Sequence, residues 1–239
     1  MAVVEHLASA VDYRERADCA LKRSQGYWLL SRLFSEVPSN ERLAEALLAV
    51  DALLAGGSAV PAEIVVLRHE LAAAILDPQA AAVAFTRYLT LIPKDTDESF
   101  PFESYFREGR LPGEATRRVE DFMTNADYED LAIDVASVDH LAAELRLMAF
   151  LCHAEHAAWQ DADRESAVAR LTQQRSFLQE HLASWAPQYC EALAVHANHG
   201  YIQAIARLAV QTVRDDVGAL PAICADVDAD TAPAVGAAQ

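Results

Sequence analysis

Residues 64–75 read IVVLRHELAAAI. Ile64, Leu67, Leu71 and Ile75 recur at intervals of three, four and four, which puts them on one side of an α-helix. The neighbouring sequence is punctuated in the same way. Pro61 stands where a first helical turn tolerates proline. Gly56 and Gly57 end a preceding helix that carries Leu43, Leu47, Leu48 and Leu54, and Ser39 or Asn40 can cap its start. Asp77-Pro78 reads as the cap and first turn of a following helix that ends near Leu91. Further back, residues 18–35 carry Leu21, Tyr27, Trp28, Leu29, Leu30, Leu33 and Phe34 and suit a helix that stops before Pro38.

Composition extends this reading to the whole chain. Of 239 residues, 48 are Ala, only 8 Gly and 9 Pro. Ala is the best helix former and Gly and Pro the worst, so the expected fold class is all-α. A β-sandwich or an α/β nucleotide-binding fold would need more turn glycines. The apolar share of 53% against 23% charged residues excludes a disordered chain. Four further helices are expected over residues 139–159, 163–181, 187–197 and 201–217. Residues 1–16 are weakly patterned and read as a flexible arm. Residues 17–220 make one helical bundle of about nine to ten helices, and 221–239 read as a disordered acidic tail.

The formal charge is 19 − 36 = −17. Such a chain repels nucleic acid phosphates and anionic lipid, and attracts a basic partner. The N-terminus lacks a basic stretch followed by an apolar one, and no run of about 18 apolar residues occurs. A cytoplasmic location without membrane insertion is therefore expected. Cys19, Cys152, Cys190 and Cys224 form no C-x-x-C pair and read as free thiols.

Phosphate-binding glycine loops, a nucleophile elbow and H-E-x-x-H are all absent from the sequence. His153 and His156, like His196 and His199, share a helix face, but zinc needs three or four ligands, so no metal or cofactor is expected. Two segments stand out. Residues 92–113 hold three prolines and two glycines yet also Phe100, Phe102, Tyr105 and Phe106. A loop so loaded either tucks its rings inward or lines a groove for an apolar peptide, with Glu103 available to a basic residue. Asp139-His140-Leu141-Ala142-Ala143-Glu144 follows an irregular stretch. Asp139 can cap the helix, and His140 and Glu144 share a face at i, i+4, where Glu144 could hold the imidazole. A capped helix start and an acid/base dyad are both compatible with that spacing.

Together these segments resemble the TorD/DmsD/NarJ group of chaperones for molybdenum enzymes. The group's early Y-x-x-L-x-x-L-F-x-x-x-P stretch is matched by residues 27–38. Its aromatic P-[YFW]-[ED]-S-x-[YF] loop is matched by Pro101, Phe102, Glu103, Ser104, Tyr105 and Phe106. Its D-H-[LI]-x-x-E-[LF] start is matched by Asp139, His140, Leu141, Glu144 and Leu145. A late H-L-x-x-W-x-P segment is matched by His181, Leu182, Trp185 and Pro187. Val138 stands where the group often has proline. The resemblance spans about residues 20–215.

It implies a chaperone, not an enzyme, that binds the twin-arginine signal peptide or apo form of a molybdoenzyme catalytic subunit. Pro101, Phe102, Glu103, Ser104, Tyr105, Asp139, His140, Leu141 and Glu144 would form the client site. The apolar side chains would pack the peptide, and the carboxylates would be electrostatic or structural partners for arginine. Monomer and homodimer are both compatible. The alternatives are a helical nucleotide hydrolase using His140 and Glu144, or a structural subunit of a redox complex.

Overall fold

A computed structural model describes residues 2–55, 61–90, 100–128 and 135–229, with side chains from Tyr13 to Val227 within them. The helices are α1 (Ala2–Ser35), α2 (Asn40–Ala55), α3 (Ala62–Leu76), α4 (Pro78–Phe85), α5 (Glu103–Glu108), α6 (Glu114–Asn125), α7 (Leu141–Gln160), α8 (Arg164–Phe177), α9 (Ala183–His196) and α10 (Gly200–Ala229). Two π-helical turns join them, Thr86–Thr90 after α4 and Leu178–Leu182 between α8 and α9. Among the described residues there is no strand, only an isolated antiparallel bridge between Phe102 and His140. The fold is all-α, as the alanine-rich, glycine-poor composition leads one to expect.

The stripe that opened the reading does what its spacing requires. Ile64, Leu67 and Leu71 are buried, and α3 packs on α2 and α10. α7 is the central helix. It lies against α1 along much of its length and against α8 on another side, and Leu141, Leu145, Leu147, Met148, Leu151 and Cys152 are all sealed from solvent. A helix apolar on nearly every face belongs inside a bundle.

α10 runs antiparallel to α1, and buried polar groups mark their contact. Arg23 reaches Asp216 (Nε to Oδ1, 3.0 Å) and Glu155 of α7 (Nη1 to Oε2, 3.3 Å). Tyr27 donates its hydroxyl to Asp216 at 2.9 Å. Trp159 and Gln174 donate to Glu155 at 3.1 and 2.9 Å. Tyr27, the first residue of the early motif, is thus a structural tie within the bundle.

Three boundaries differ from the sequence reading. α1 begins at Ala2, so helix includes the stretch read as a flexible arm, and Tyr13 stacks on Trp159 at 5.4 Å. α10 continues past Pro221 to Ala229 into the expected tail. Leu220 and Val227 are buried there, and Asp226 pairs with Arg16 at 2.9 Å, so packing overrides the proline and the acidic composition. Residues 230–239 lie outside the described residues. Pro187, read as a helix start, lies inside α9, which continues α8 through the π turn.

Candidate functional site

The aromatic segment enters the molecule at Phe100 and becomes helical at Glu103. Gly109, at φ 68°, ends α5 in the left-handed conformation that glycine adopts without strain. Gly113 then starts α6, where a Cβ would stand 2.7 Å from that of Ser104, so only glycine allows the two helices to approach this closely. Glu108 completes the turn. Its carboxylate accepts the α6 N–H groups of Glu114 (2.9 Å) and Ala115 (2.8 Å), which hold it down at about 2.

The two segments singled out in the sequence meet here. Glu103 N–H donates to the Asp139 carbonyl at 2.9 Å, and Leu141 N–H donates to the Pro101 carbonyl at 2.7 Å. The ring of Phe102 meets that of His140 edge-on at 4.9 Å. Capping is shared crosswise. Asp139 was expected to cap the helix that follows it. Instead its Oδ2 accepts from Ser104 N–H at 3.0 Å, at the start of α5, and its Oδ1 accepts from Ser137. His140 caps α7, its Nδ1 accepting from Ala142 N–H at 3.0 Å. Burial lowers His140 to about 4 against the opposing pull of Asp139, so the ring is neutral at pH 7 and its proton sits on Nε2.

The late H-L-x-x-W segment supplies what the sequence reading left out of the site. His181 Nδ1 donates to Glu103 at 2.8 Å, and Trp185 Nε1 donates to Glu144 at 3.1 Å. Arg107, one turn along α5, also pairs with Glu103. Phe177 stacks on His181 at 5.0 Å, and Phe106 lies 6.0 Å from Trp185. Glu103, Ser104, Asp139, Leu141 and Glu144 have no exposed surface, Pro101, Phe102 and His140 are buried, and Tyr105 is half-buried. Burial and the adjacent Glu103 carboxylate push Glu144 well above the carboxylate range, so it is held as a neutral acid. Its Oε1 and the hydroxyl of Ser104 are sealed without a partner.

This arrangement does not form the dyad that the i, i+4 spacing left open. His140 and Glu144 share a helix, but each is bonded elsewhere, to Ala142 and to Trp185. Of the two readings open for the aromatic rings, inward tucking is what occurs for Phe100 and Phe102. The carboxylates of Glu103, Asp139 and Glu144 are committed to the fold and do not face solvent, so their part is to shape the segment.

The chain belongs to the nitrate reductase delta subunit family, whose model matches residues 58–191. It is similar to the selenate reductase assembly chaperone protein of Thauera selenatis, at 43% identity over 51 residues, which is 21% of this chain and a quarter (25%) of that protein. It is also similar to the chaperone protein TorD of Vibrio cholerae, at 26% identity over 201 residues, 82% of this chain and 90% of that one. A solved structure assigned to redox enzyme maturation, from Archaeoglobus fulgidus, superposes with a TM-score of 0.53 at 15% identity. It covers 80% of this chain and 93% of its own, and shows the same fold. The family is thus one of chaperones and maturation proteins, not of catalysts.

Proposed function

We propose that this protein is a cytoplasmic chaperone for a molybdenum-containing oxidoreductase subunit. It binds the twin-arginine signal peptide or the apo form of that subunit and holds it until the cofactor is inserted. The observation that carries the reading is the similarity to a selenate reductase assembly chaperone and to TorD on a scaffold where the family's three later motifs interlock. The chain's charge of −17 suits a basic, apolar client segment. Residues Pro101 to Tyr105, with Asp139, His140, Leu141 and Glu144, are the recognition element in this reading. The buried carboxylates set its shape, and the half-buried Tyr105 and Phe106 are its outward part. Among the described residues no helix is long and apolar enough to cross a membrane.

The test is a titration with N-terminal peptides of the molybdenum oxidoreductase subunits from the same genome, at low and high salt. Binding to one of them is expected, weaker at high salt, and weakened again by Tyr105→Ala with the helical circular dichroism unchanged. Absence of binding to every peptide and to the full-length subunits would overturn the reading.

A further inference from the structure

α3 is apolar on more than the side that it buries. Of its 15 residues only Glu63, Arg68, His69 and Glu70 are polar. Ile64, Leu67, Leu71 and Ala74 are buried where α3 packs on α2 and α10. The opposite side carries Ala62, Val65, Val66, Ala72, Ala73 and Leu76, with His69 at their centre, and all of them are exposed. Val65 is 55%, Val66 41% and Leu76 87% exposed. A helix apolar on every side belongs in an interior, so α3 has a second side still to be covered. Leu48 of α2, 70% exposed and one turn before Asp51, extends this face past the Arg68–Asp51 pair (2.6 Å).

Two properties of the face say what covers it. The first is its charge. None of the 36 acidic residues of the chain stands among these outward positions of α3, and Arg68 and Asp51 at the edge neutralise one another. Two chains of charge −17 repel over most of their surfaces, and here they can meet without that repulsion. The second is symmetry. His69 is the midpoint of α3, both along the helix and across the face. When a second α3 is laid antiparallel about that point, Val65 comes level with Ala73 of the other copy, Val66 with Ala72, and Leu76 with Ala62. Every large side chain then meets an alanine on both sides of the axis, which is the self-complementarity that a two-fold contact requires.

We infer that this face is a dimer contact, in which two copies pair through antiparallel α3 helices with His69 beside the two-fold axis. The alanines let the helices approach to about 8–10 Å. One helix face makes a small interface, so the association is an equilibrium that depends on concentration and not a permanent dimer. The interlocked motifs lie on α5, α7 and α9, outside the contact, so each copy keeps its own recognition segment free of the other.

Sedimentation equilibrium of the full chain over a range of concentrations, at low and high salt, tests this. The dimer fraction is expected to rise with concentration and with salt, because screening removes the repulsion between acidic chains. Client binding, by contrast, is expected to weaken with salt. Ala73→Glu should raise the dissociation constant of the dimer at least tenfold with the circular dichroism unchanged. Ala169→Glu, on the exposed side of α8, should leave it as it was. The register is tested with Cys19→Ser and Cys224→Ser in the background. Mild oxidation should link His69→Cys to its own copy, since facing Cα atoms of helices this close lie within disulfide reach, and should leave Ala169→Cys unlinked. A chain that stays monomeric at every concentration and salt, a dimer that Ala73→Glu does not weaken, or a His69→Cys variant that stays unlinked would each overturn the inference. A monomer in which a client peptide shields the thiol of His69→Cys from a thiol reagent would make the client the occupant and overturn it too. All of these outcomes leave the chaperone reading to its own peptide titration.

Discussion

The molecule buries carboxylates in two places and balances them in different ways. Between α1, α7 and α10, Asp216 and Glu155 close around Arg23, with Tyr27, Trp159 and Gln174 completing their hydrogen bonds. Burial pushes Glu155 upward and Arg23 pulls it back. Between α5, α7 and α9, Glu103 has Arg107 and His181, whereas Glu144 accepts from the Trp185 indole, lies beside the Glu103 carboxylate and keeps a proton. One joint is closed by an arginine that stays charged at any physiological pH. The other combines the Arg107–Glu103 pair with a carboxyl that burial keeps protonated, so it is the joint more sensitive to pH.

Removing the cation from the first joint should have the largest effect. Arg23→Met leaves Asp216 and Glu155 buried without a counter-charge, and a loss of about 3–5 kcal/mol is expected in urea unfolding. A loss under about 1 kcal/mol would mean that water already reaches these groups, and the contrast with the second joint would collapse. Next, Trp185→Phe keeps an aromatic ring, though a smaller one, and removes the donor to Glu144. A loss of about 1–3 kcal/mol is expected, and an unchanged urea midpoint would show that Glu144 has found another partner.

The pH profile tests the second joint from within, through two buried groups of opposite sign. His140 titrates at about 4 in the fold against an ordinary 6.5. As pH falls through that window the unfolded chain takes up the proton first, so this residue makes stability decline toward acid. Glu144 has the opposite sign. The native state keeps a proton that the unfolded chain releases above its ordinary 4.5, so stability declines as pH rises. His140→Asn should flatten the acid-side decline. Glu144→Gln should gain on the unaltered protein between about pH 5 and about pH 8. Urea midpoints at the two pH values measure both, and a Glu144→Gln variant that loses ground at the higher pH would refute the neutral-acid assignment.

The fold class was legible because helix propensity and the three-four spacing are local properties. Ile64, Leu67 and Leu71 show on which side a helix is buried, but nothing in their spacing says which helix covers it. The site was legible in its parts and not in its wiring. His181 and Trp185 stood in the sequence as a motif, yet only the packing of α9 beside α5 and α7 makes them the partners of Glu103 and Glu144. The exchange of caps escaped for the same reason. A carboxylate next to a helix start reads as that helix's cap, and the donor that Asp139 serves, Ser104 N–H, lies 35 residues earlier in the chain.

The tie between α1 and α10 bears on how the protein is made. Arg23 must wait for a partner 193 residues later, and Ser24 for a carbonyl 125 residues later. At about 5–20 residues per second of synthesis, roughly ten to forty seconds pass before Asp216 leaves the ribosome. Until α7 and then α10 emerge, the face of α1 that will meet them has no cover from those helices. Contacts this distant in sequence slow folding and expose apolar surface meanwhile. The first helix of the chain is thus the one that waits longest for its cover.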